Sequence, residues 1–137
     1  MRYNLFGRGG DVVLLVARVM LAALFVLFGW TKLTGFGGTV GYMASVGAPL
    51  PTLAAIVAIV MEFFVGLLIV AGFYTRPLAV LLALYTIGTA LVAHHFWNMT
   101  GVAQMENMIN FYKNVSIAGG LLALAIAGPG RLSVDRQ

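Results

Sequence analysis

The sequence predicts an all-α integral membrane protein, a four-transmembrane-helix bundle with an interfacial connection between the first and second helices. Of its 137 residues, 61% are hydrophobic and 9% are charged, whereas about 25% of an average soluble domain is charged. Eight Lys or Arg and four Asp or Glu are too few to cover a water-soluble globule of this size. Their spacing leaves four stretches close to the roughly 20 residues that a helix needs to cross a bilayer. We expect a single membrane domain over residues 1–137.

Proline placement supports the limits of these spans. Pro51 and Pro77 suit the first turn of a helix, where the missing N–H would have no partner within the helix. Pro129, between two glycines, ends the last span. Asp11 is predicted to cap the N-terminus of the first span. The four predicted spans cover residues 12–31, 52–73, 77–97 and 111–128.

Two connections are long enough to have structure of their own. Residues 33–50 are too Gly-rich for a span, but Phe36, Val40 and Met43 recur at helical spacing. This pattern predicts a short interfacial helix. Residues 98–110 are rich in asparagine and methionine, which predicts a surface-lying, partly helical connection.

Four spans place both termini on one side of the membrane, and the distribution of arginine indicates which side. Basic residues concentrate on the cytoplasmic side of membrane proteins. The opposite side has only Lys32 and Lys113, and the terminal side has five arginines: Arg2, Arg8, Arg76, Arg131 and Arg136. We therefore expect both termini in the cytoplasm. Since Arg18 interrupts the apolar stretch that a signal peptide would need, we also expect an uncleaved first helix.

Arg18 and Glu62 are the two charges predicted to lie within spans. An ionised group at the bilayer centre costs at least about 2.5 kcal/mol unless it is paired or hydrated. Arg18 is about 9 Å and Glu62 about 15 Å deep at 1.5 Å per residue, so we predict an ion pair between adjacent helices. Small residues lie at helical spacing on the same faces, which marks these faces as interior. Either the pair only neutralises charge and fixes helix register, or it lines a polar pocket for a ligand or a proton.

A second polar cluster is predicted at the ends of the helices opposite the termini. Lys32 shares the helical stripe of Arg18, and of the adjacent histidines we expect His94 rather than His95 to face inward. The candidate ligand-binding residues are Arg18, Lys32, Glu62, His94, Lys113 and Asn114. The apolar side chains that could contact an aromatic ring are Phe25, Phe28, Met61, Phe63 and Phe64.

No intrinsic cofactor or metal is expected in this chain. It has no cysteine, so it offers no thiolate for an iron–sulfur cluster, a disulfide or a c-type haem. Its two histidines are neighbours on one helix, whereas a membrane b-type haem normally takes axial ligands from different helices. His94 with Glu106 falls short of the three or four ligands of a zinc site.

The motifs of the chain resemble those of DoxX-type membrane proteins. The resemblance covers nearly the whole sequence in order and spacing. It is carried by Arg18, Phe28 to Leu33, Val46 to Pro49, Glu62 to Gly66, Gly72 to Arg76, His94 to Trp97, Lys113 with Asn114, and Gly128 to Ser133 with Asp135. It implies a four-helix protein of the bacterial inner membrane with a link to redox metabolism, since relatives include a small membrane subunit of a thiosulfate:quinone oxidoreductase and partners of redox-stress enzymes.

Three classes of function follow from these expectations. The first is a quinone-linked membrane subunit of an oxidoreductase or redox-stress complex, in which Arg18, Lys32 and His94 donate hydrogen bonds to a bound quinone and Glu62 tunes or relays a proton. The second is a membrane anchor for a soluble enzyme. The third is a small proton-coupled transporter, which a permanent cation beside Glu62 disfavours. Whether the chain is itself an enzyme stays open.

The expected partners follow from the same reasoning. The lipid bilayer and a soluble or membrane redox protein are expected, and homo-oligomerisation stays open. The net charge of +4 comes from scattered residues with no basic run, so no nucleic-acid partner is expected.

Overall fold

A computed structural model describes residues 5–136, and all regular secondary structure in that range is helical. Four of the helices are long and apolar enough to cross a membrane, as the composition predicts. We number the helices α1 (Gly10–Thr34), α2 (Phe36–Ser45), α3 (Pro51–Ala71), α4 (Thr75–Ala93) and α5 (Gly101–Ala127). A 3₁₀ turn, Phe96–Asn98, follows α4.

The short helix α2 is the predicted helix in the connection between the first two spans. Its Thr39 is buried, and the Thr39 hydroxyl donates to the main-chain oxygens of Lys32 and Gly35, both at 3.1 Å. These bonds fasten α2 to the end of α1. Leu50 then adopts a left-handed conformation and Pro51 opens α3, where its fixed φ suits the first turn.

Helix α3 is not uniformly α-helical. Residues Val60–Val65 form a π-helical segment in its middle. Such segments insert extra chain into an α-helix and occur frequently at functional sites. Glu62 and Phe63 lie in this segment, so the irregularity falls on the acidic residue predicted to lie deep in a span.

Helix α5 differs from its predicted limits. The fourth span was placed at residues 111–128, but the helix begins at Gly101 and ends at Ala127. The connection predicted to be surface-lying and partly helical supplies the first part of this helix, and most of its residues there are exposed. The Asn107 amide nitrogen donates to the carbonyl oxygen of Ala103 at 2.9 Å. Because this polar side chain finds a partner within α5, it does not end the helix.

The end of the bundle that carries both termini is closed by the C-terminal strap, which we define as residues 128–136. The prediction that Asp11 caps α1 is wrong, because the helix begins one residue earlier, at Gly10. The Asp11 carboxylate instead accepts a hydrogen bond from the main-chain N–H of Arg131 at 2.9 Å. The strap continues across α3, where the N–H groups of Val134 and Asp135 donate to Ala71 and Gly72. Arg2, which the topology argument used, lies outside the described residues.

Candidate functional site

A polar cavity of about 530 Å³ lies at the end of the bundle opposite the termini. Helix α1 and α2 form one side and α5 the other, with α3 and α4 between them. Five of the six predicted site residues line it: Lys32, Glu62, His94, Lys113 and Asn114. Aromatic rings from Phe25, Phe28 and Tyr42 complete much of the wall.

Glu62 is the centre of a hydrogen-bond network that joins three helices. Lys32 Nζ donates to Glu62 Oε1 at 2.9 Å, and Tyr85 Oη donates to Glu62 Oε2 at 2.6 Å. Glu62 is 8% exposed. Because both carboxylate oxygens accept a bond, one from an ammonium group, the buried acid has the paired and hydrogen-bonded surroundings that an ionised side chain needs.

Gly29 brings α1 close enough for this network to form. A Cβ atom at Gly29 would lie 2.5 Å from the main-chain nitrogen of Phe63 and 2.8 Å from its Cα. Only a residue without a side chain allows the two backbones to approach so closely. Lys32 lies one turn beyond Gly29 on α1, and Glu62 directly precedes Phe63, so this close contact fixes the spacing of the ion pair.

His94 and Asn107 form a second pair at the cavity. His94 Nδ1 lies 2.9 Å from Asn107 Oδ1. The neighbouring His95 instead bonds the carbonyl of Val92 and does not line the cavity. Of the two histidines, His94 is thus the one that faces the cavity.

Asn114 and Lys113 occupy the α5 side of the cavity. The Asn114 amide nitrogen donates to Thr86 O and Thr89 Oγ1, both at 3.3 Å, which ties α5 to α4. Lys113 is exposed, and its ammonium group donates to Asn110 Oδ1 at 3.2 Å. Lys113 therefore lies at the rim of the cavity.

The predicted Arg18–Glu62 ion pair is wrong. Glu62 pairs with Lys32, and Arg18 Nη2 donates to Leu132 O in the strap at the other end of the bundle. Cα–Cβ bonds tilt toward the N-terminus of their own helix. In the antiparallel helices α1 and α3 this tilt separates Arg18 from Glu62 and brings Lys32 toward Glu62.

Arg18 is fully buried beneath the strap and does not line the polar cavity. Its Nε and Nη1 atoms have no hydrogen-bond partner among the described residues, and the same is true of the buried Thr75 hydroxyl. Gly72, with a φ of 72°, lies against this guanidinium, since a Cβ there would be 2.0 Å from Arg18 Nη1. This cluster holds the strap, α1 and α3 together.

The five apolar side chains predicted to contact a ligand ring lie in different surroundings, and their role in binding stays a prediction. Phe25 and Phe28 line the cavity. Met61 belongs to the hydrophobic core, and Phe63 packs against Trp30 with ring centroids 5.6 Å apart. Phe64 is exposed.

A second cavity of about 410 Å³ is almost wholly apolar and lies beside the first. It is bounded by α2, α3 and α4. Tyr85 lines this cavity while its hydroxyl bonds Glu62, which lines the polar one. Tyr85 and Glu62 therefore form part of the partition between the two cavities.

Sequence reasoning missed Tyr85, Asn107 and Asp135 as partners of charged or polar groups. Tyr85 and Asn107 have ordinary local surroundings in the sequence, and only the packing of α4 on α3 and of α5 on α4 reveals their roles. Asp135 accepts from the N–H groups of Tyr74 and Thr75, both at 2.9 Å, and so caps α4.

The described residues, 5–136, contain no group of three or more His, Asp or Glu side chains placed to hold a metal ion. The expectation that the chain binds no metal stays a prediction.

Comparison with known proteins supports a family assignment. A sequence model of the DoxX family matches residues 13–95. The chain is 58% identical over 137 residues to the inner membrane protein YphA of Escherichia coli (strain K12), covering all of this chain and 98% of that protein. It is 43% identical to the inner membrane protein YqjF of the same organism, over 92% of each chain.

A more distant relative has a name that indicates redox chemistry. The putative oxidoreductase CatD of Bacillus subtilis (strain 168) is 33% identical over 99 residues, 72% of each chain. No solved structure matches this chain. The matched family model, the two full-length relatives and the four membrane-spanning helices together show that the chain belongs to the DoxX family of membrane proteins.

Proposed function

We propose that this protein is a quinone-binding subunit of an inner-membrane oxidoreductase or redox-stress complex, with the polar cavity as its quinone site. The observation that carries the proposal is the combination, in one cavity, of aromatic walls with the Lys32–Glu62–Tyr85 network. Ligand pockets typically enclose about 300–1,000 Å³ and place a few polar groups in a largely apolar lining. The cavity, at about 530 Å³, fits that description.

The donor set of the cavity fits a quinone headgroup. An ammonium group has three N–H donors, and Lys32 uses one of them on Glu62, so two remain for the oxygen of a ligand. Phe25 and Phe28 offer apolar faces to a ring. A bound quinone would supply two-electron, two-proton redox chemistry.

The Glu62 carboxylate is placed to hold or pass a proton at the edge of the cavity. Each of its oxygens accepts one bond, from an ammonium group and from a phenol, and each keeps a second lone pair that a proton could take. The electrons must come from a soluble or membrane redox partner, because these 137 residues contain no cysteine for an iron–sulfur cluster. Arg18, which the sequence placed in the site, has no part in this proposal.

The proposal includes an orientation with both termini in the cytoplasm. The exposed Arg8, Arg131 and Arg136 all lie at the terminal end of the bundle, whereas Lys32 and Lys113 lie at the other end. This distribution is the one that the positive-inside rule favours. Since the chain has no cysteine, labelling of single introduced cysteines on either side of intact cells tests the orientation directly.

Quinone binding to the purified protein tests the site. We expect saturable binding of decylubiquinone that weakens at least about tenfold in Lys32→Met, since a hydrogen bond from a charged group contributes about 1.5–3 kcal/mol. Glu62→Gln should weaken binding to a similar extent, because it removes the partner that positions Lys32. Glu106→Gln is the matched control, since Glu106 is exposed and outside the cavity. Absence of saturable binding, or equal binding by all four proteins, would refute the proposal.

The membrane-anchor alternative has one observation in its favour. Phe73 and Tyr74 are exposed at the terminal end and stack edge to face at 4.8 Å, so they offer an aromatic surface to a soluble partner. Arg76 does not contribute to this surface, because it is bonded to the Ala125 carbonyl at 2.9 Å. If the protein is only an anchor, Tyr74→Ala should abolish recovery of a partner from native membranes while the Lys32 and Glu62 variants have no effect.

The transporter alternative is disfavoured for a reason different from the one the sequence suggested. The cation beside Glu62 is Lys32 and not Arg18. A cation at 2.9 Å still competes with a cationic substrate for the carboxylate.

A further inference from the structure

The hydrogen-bond chain that ends at His94 fixes which ring nitrogen bears the proton. The Asn107 amide nitrogen donates to Ala103 O at 2.9 Å, so the amide oxygen is the atom directed at His94 Nδ1. An amide oxygen only accepts hydrogen bonds. Nδ1 of His94 must therefore carry the hydrogen.

This assignment decides what His94 offers to the cavity. In a neutral imidazole one nitrogen is a donor and the other an acceptor. With the hydrogen on Nδ1, the Nε2 atom of neutral His94 is an acceptor, and within residues 5–136 it bonds no other group. His94 lines the polar cavity, so it presents a hydrogen-bond acceptor to a ligand.

Asn114 adds a second acceptor on the same side. Its amide nitrogen is bound to Thr86 O and Thr89 Oγ1, which leaves its Oδ1 atom, again an acceptor, for the cavity. Glu62 differs from these two, because each of its oxygens already accepts one bond and keeps only one further lone pair. The cavity thus combines the ammonium donors of Lys32 on α1 and of Lys113 at the α5 rim with the acceptors of His94 and Asn114.

A quinone carries only acceptors, and would leave the His94 and Asn114 acceptors without partners. A hydroquinone carries hydroxyl groups that both donate and accept. A site built to bond a ligand hydroxyl discriminates strongly against the analogue that lacks it, because buried polar groups are then left unpaired. We propose that the cavity binds the reduced, dihydroxy-aromatic form of its ligand in preference to the quinone, and that Asn107 is the positioning residue that holds His94 ready to accept the ligand's hydroxyl. This inference rests on the proposed quinone site and specifies its ligand.

Parallel titrations with decylubiquinone and decylubiquinol test the preference. At about pH 8, under anaerobic conditions, we expect the wild-type protein to bind decylubiquinol at least about tenfold more tightly, the effect of one half-buried acceptor left without a partner. His94→Phe keeps an aromatic ring without that acceptor and should reduce the preference to what the Asn114 acceptor alone provides. His95→Phe, the matched control outside the cavity, should leave it intact.

The role of Asn107 needs a readout that a purely structural residue would not change. Nitrogen-15 NMR of labelled histidine distinguishes the two tautomers. We expect His94 to carry its hydrogen on Nδ1 in the wild-type protein and to redistribute toward Nε2 in Asn107→Leu, with a reduced preference for decylubiquinol. Asn107→Asp keeps an acceptor opposite Nδ1 and should retain both properties. Gln104→Leu, an exposed position on the same helix, controls for the change in polarity.

The outcomes separate this inference from the proposed function. Equal binding of the two forms, or tighter binding of decylubiquinone, with continued dependence on Lys32 and Glu62, would overturn the preference and leave the quinone site standing. A wild-type His94 that carries its hydrogen on Nε2 would overturn the role of Asn107. Binding of neither compound would refute the quinone site and this inference with it.

Discussion

The two polar clusters of the bundle differ in what surrounds their charges. At the end opposite the termini, Lys32 and Glu62 are fully paired, yet they border an open cavity. At the terminal end, Arg18 is completely buried under the C-terminal strap, yet two of its nitrogen atoms have no partner within residues 5–136. A paired charge that lines a cavity is placed to bind a ligand. A buried charge that donates a hydrogen bond to the main chain is instead placed to stabilise the fold.

This difference corrects a simple rule about membrane proteins. A charge within a span is commonly interpreted as a functional site, and Arg18 meets that criterion by sequence. In the structure, Arg18 of α1 instead donates to Leu132 O in the strap and packs against Gly72 at the end of α3, so it joins these three segments. We therefore expect substitutions at the two ends to have different consequences, for stability at one end and for ligand binding at the other.

The largest expected effect is at the terminal end. Gly72→Ala would place a Cβ atom 2.0 Å from Arg18 Nη1 and 2.3 Å from Ser133 Cβ, at a φ of 72°. Overpacking and the left-handed conformation together should lower the free energy of unfolding by about 2–5 kcal/mol. SDS-induced unfolding of the detergent-solubilised protein measures this loss. Gly119→Ala, where a Cβ atom meets nothing within 4 Å, is the control. Near-equal stability of the two variants would show that the strap does not hold the fold together.

A smaller loss of stability, with a loss of binding, is expected at the cavity end. Gly29→Ala would force α1 away from the backbone of Phe63 and should cost about 1–3 kcal/mol. The displacement also separates Lys32 from Glu62, so decylubiquinone binding should weaken even in the fraction that remains folded. Titration of the folded fraction of both glycine variants sharpens the contrast. If Gly72→Ala weakens binding as much as Gly29→Ala does, the two ends are not independent.

The smallest expected effect is a pH dependence at the strap. The N–H of Thr75 and then that of Tyr74 hold the pKa of Asp135 below its ordinary value of 3.8. A depressed pKa in the folded state contributes stability above the unfolded value, and this contribution is lost as the pH falls through the folded value. Asp135→Asn should therefore cost about 0.5–1 kcal/mol at neutral pH, and the difference from wild type should shrink below about pH 4. A pH-independent difference between the two proteins would contradict this account.

The helical architecture was predictable because it depends on local composition. Charge spacing predicted four spans, and helical periodicity predicted the short α2 helix, both of which the structure contains. The interior stripe on α1 also followed from periodicity, since Arg18, Ala22, Phe25 and Gly29 are all buried. The start of α5 was not predictable from apolar length alone, because polar side chains interrupt the segment from Gly101 to Asn110, which is nevertheless helical.

The identity of most cavity residues was likewise available from the sequence, but their partners were not. Glu62 was selected as a charge within a span, and Lys32, His94, Lys113 and Asn114 as a polar cluster at the helix ends; all five line one cavity. Their role in binding stays a prediction. The depth estimate that paired Arg18 with Glu62 failed because depth along a helix ignores the direction in which a side chain leaves it.

By itself the sequence determined that this chain spans a membrane four times and which of its polar residues lie within the spans, since both follow from the cost of placing charge in hydrocarbon. Only the tertiary structure decided which of those residues meet. The approach of Gly29 to Phe63, the π-helical turn at Glu62 and the tilt of side chains in antiparallel helices place Lys32 on Glu62 and leave Arg18 to the strap. A hydrogen bond depends on distances of a few tenths of an ångström, and such distances are set by how helices pack, which no single helix encodes.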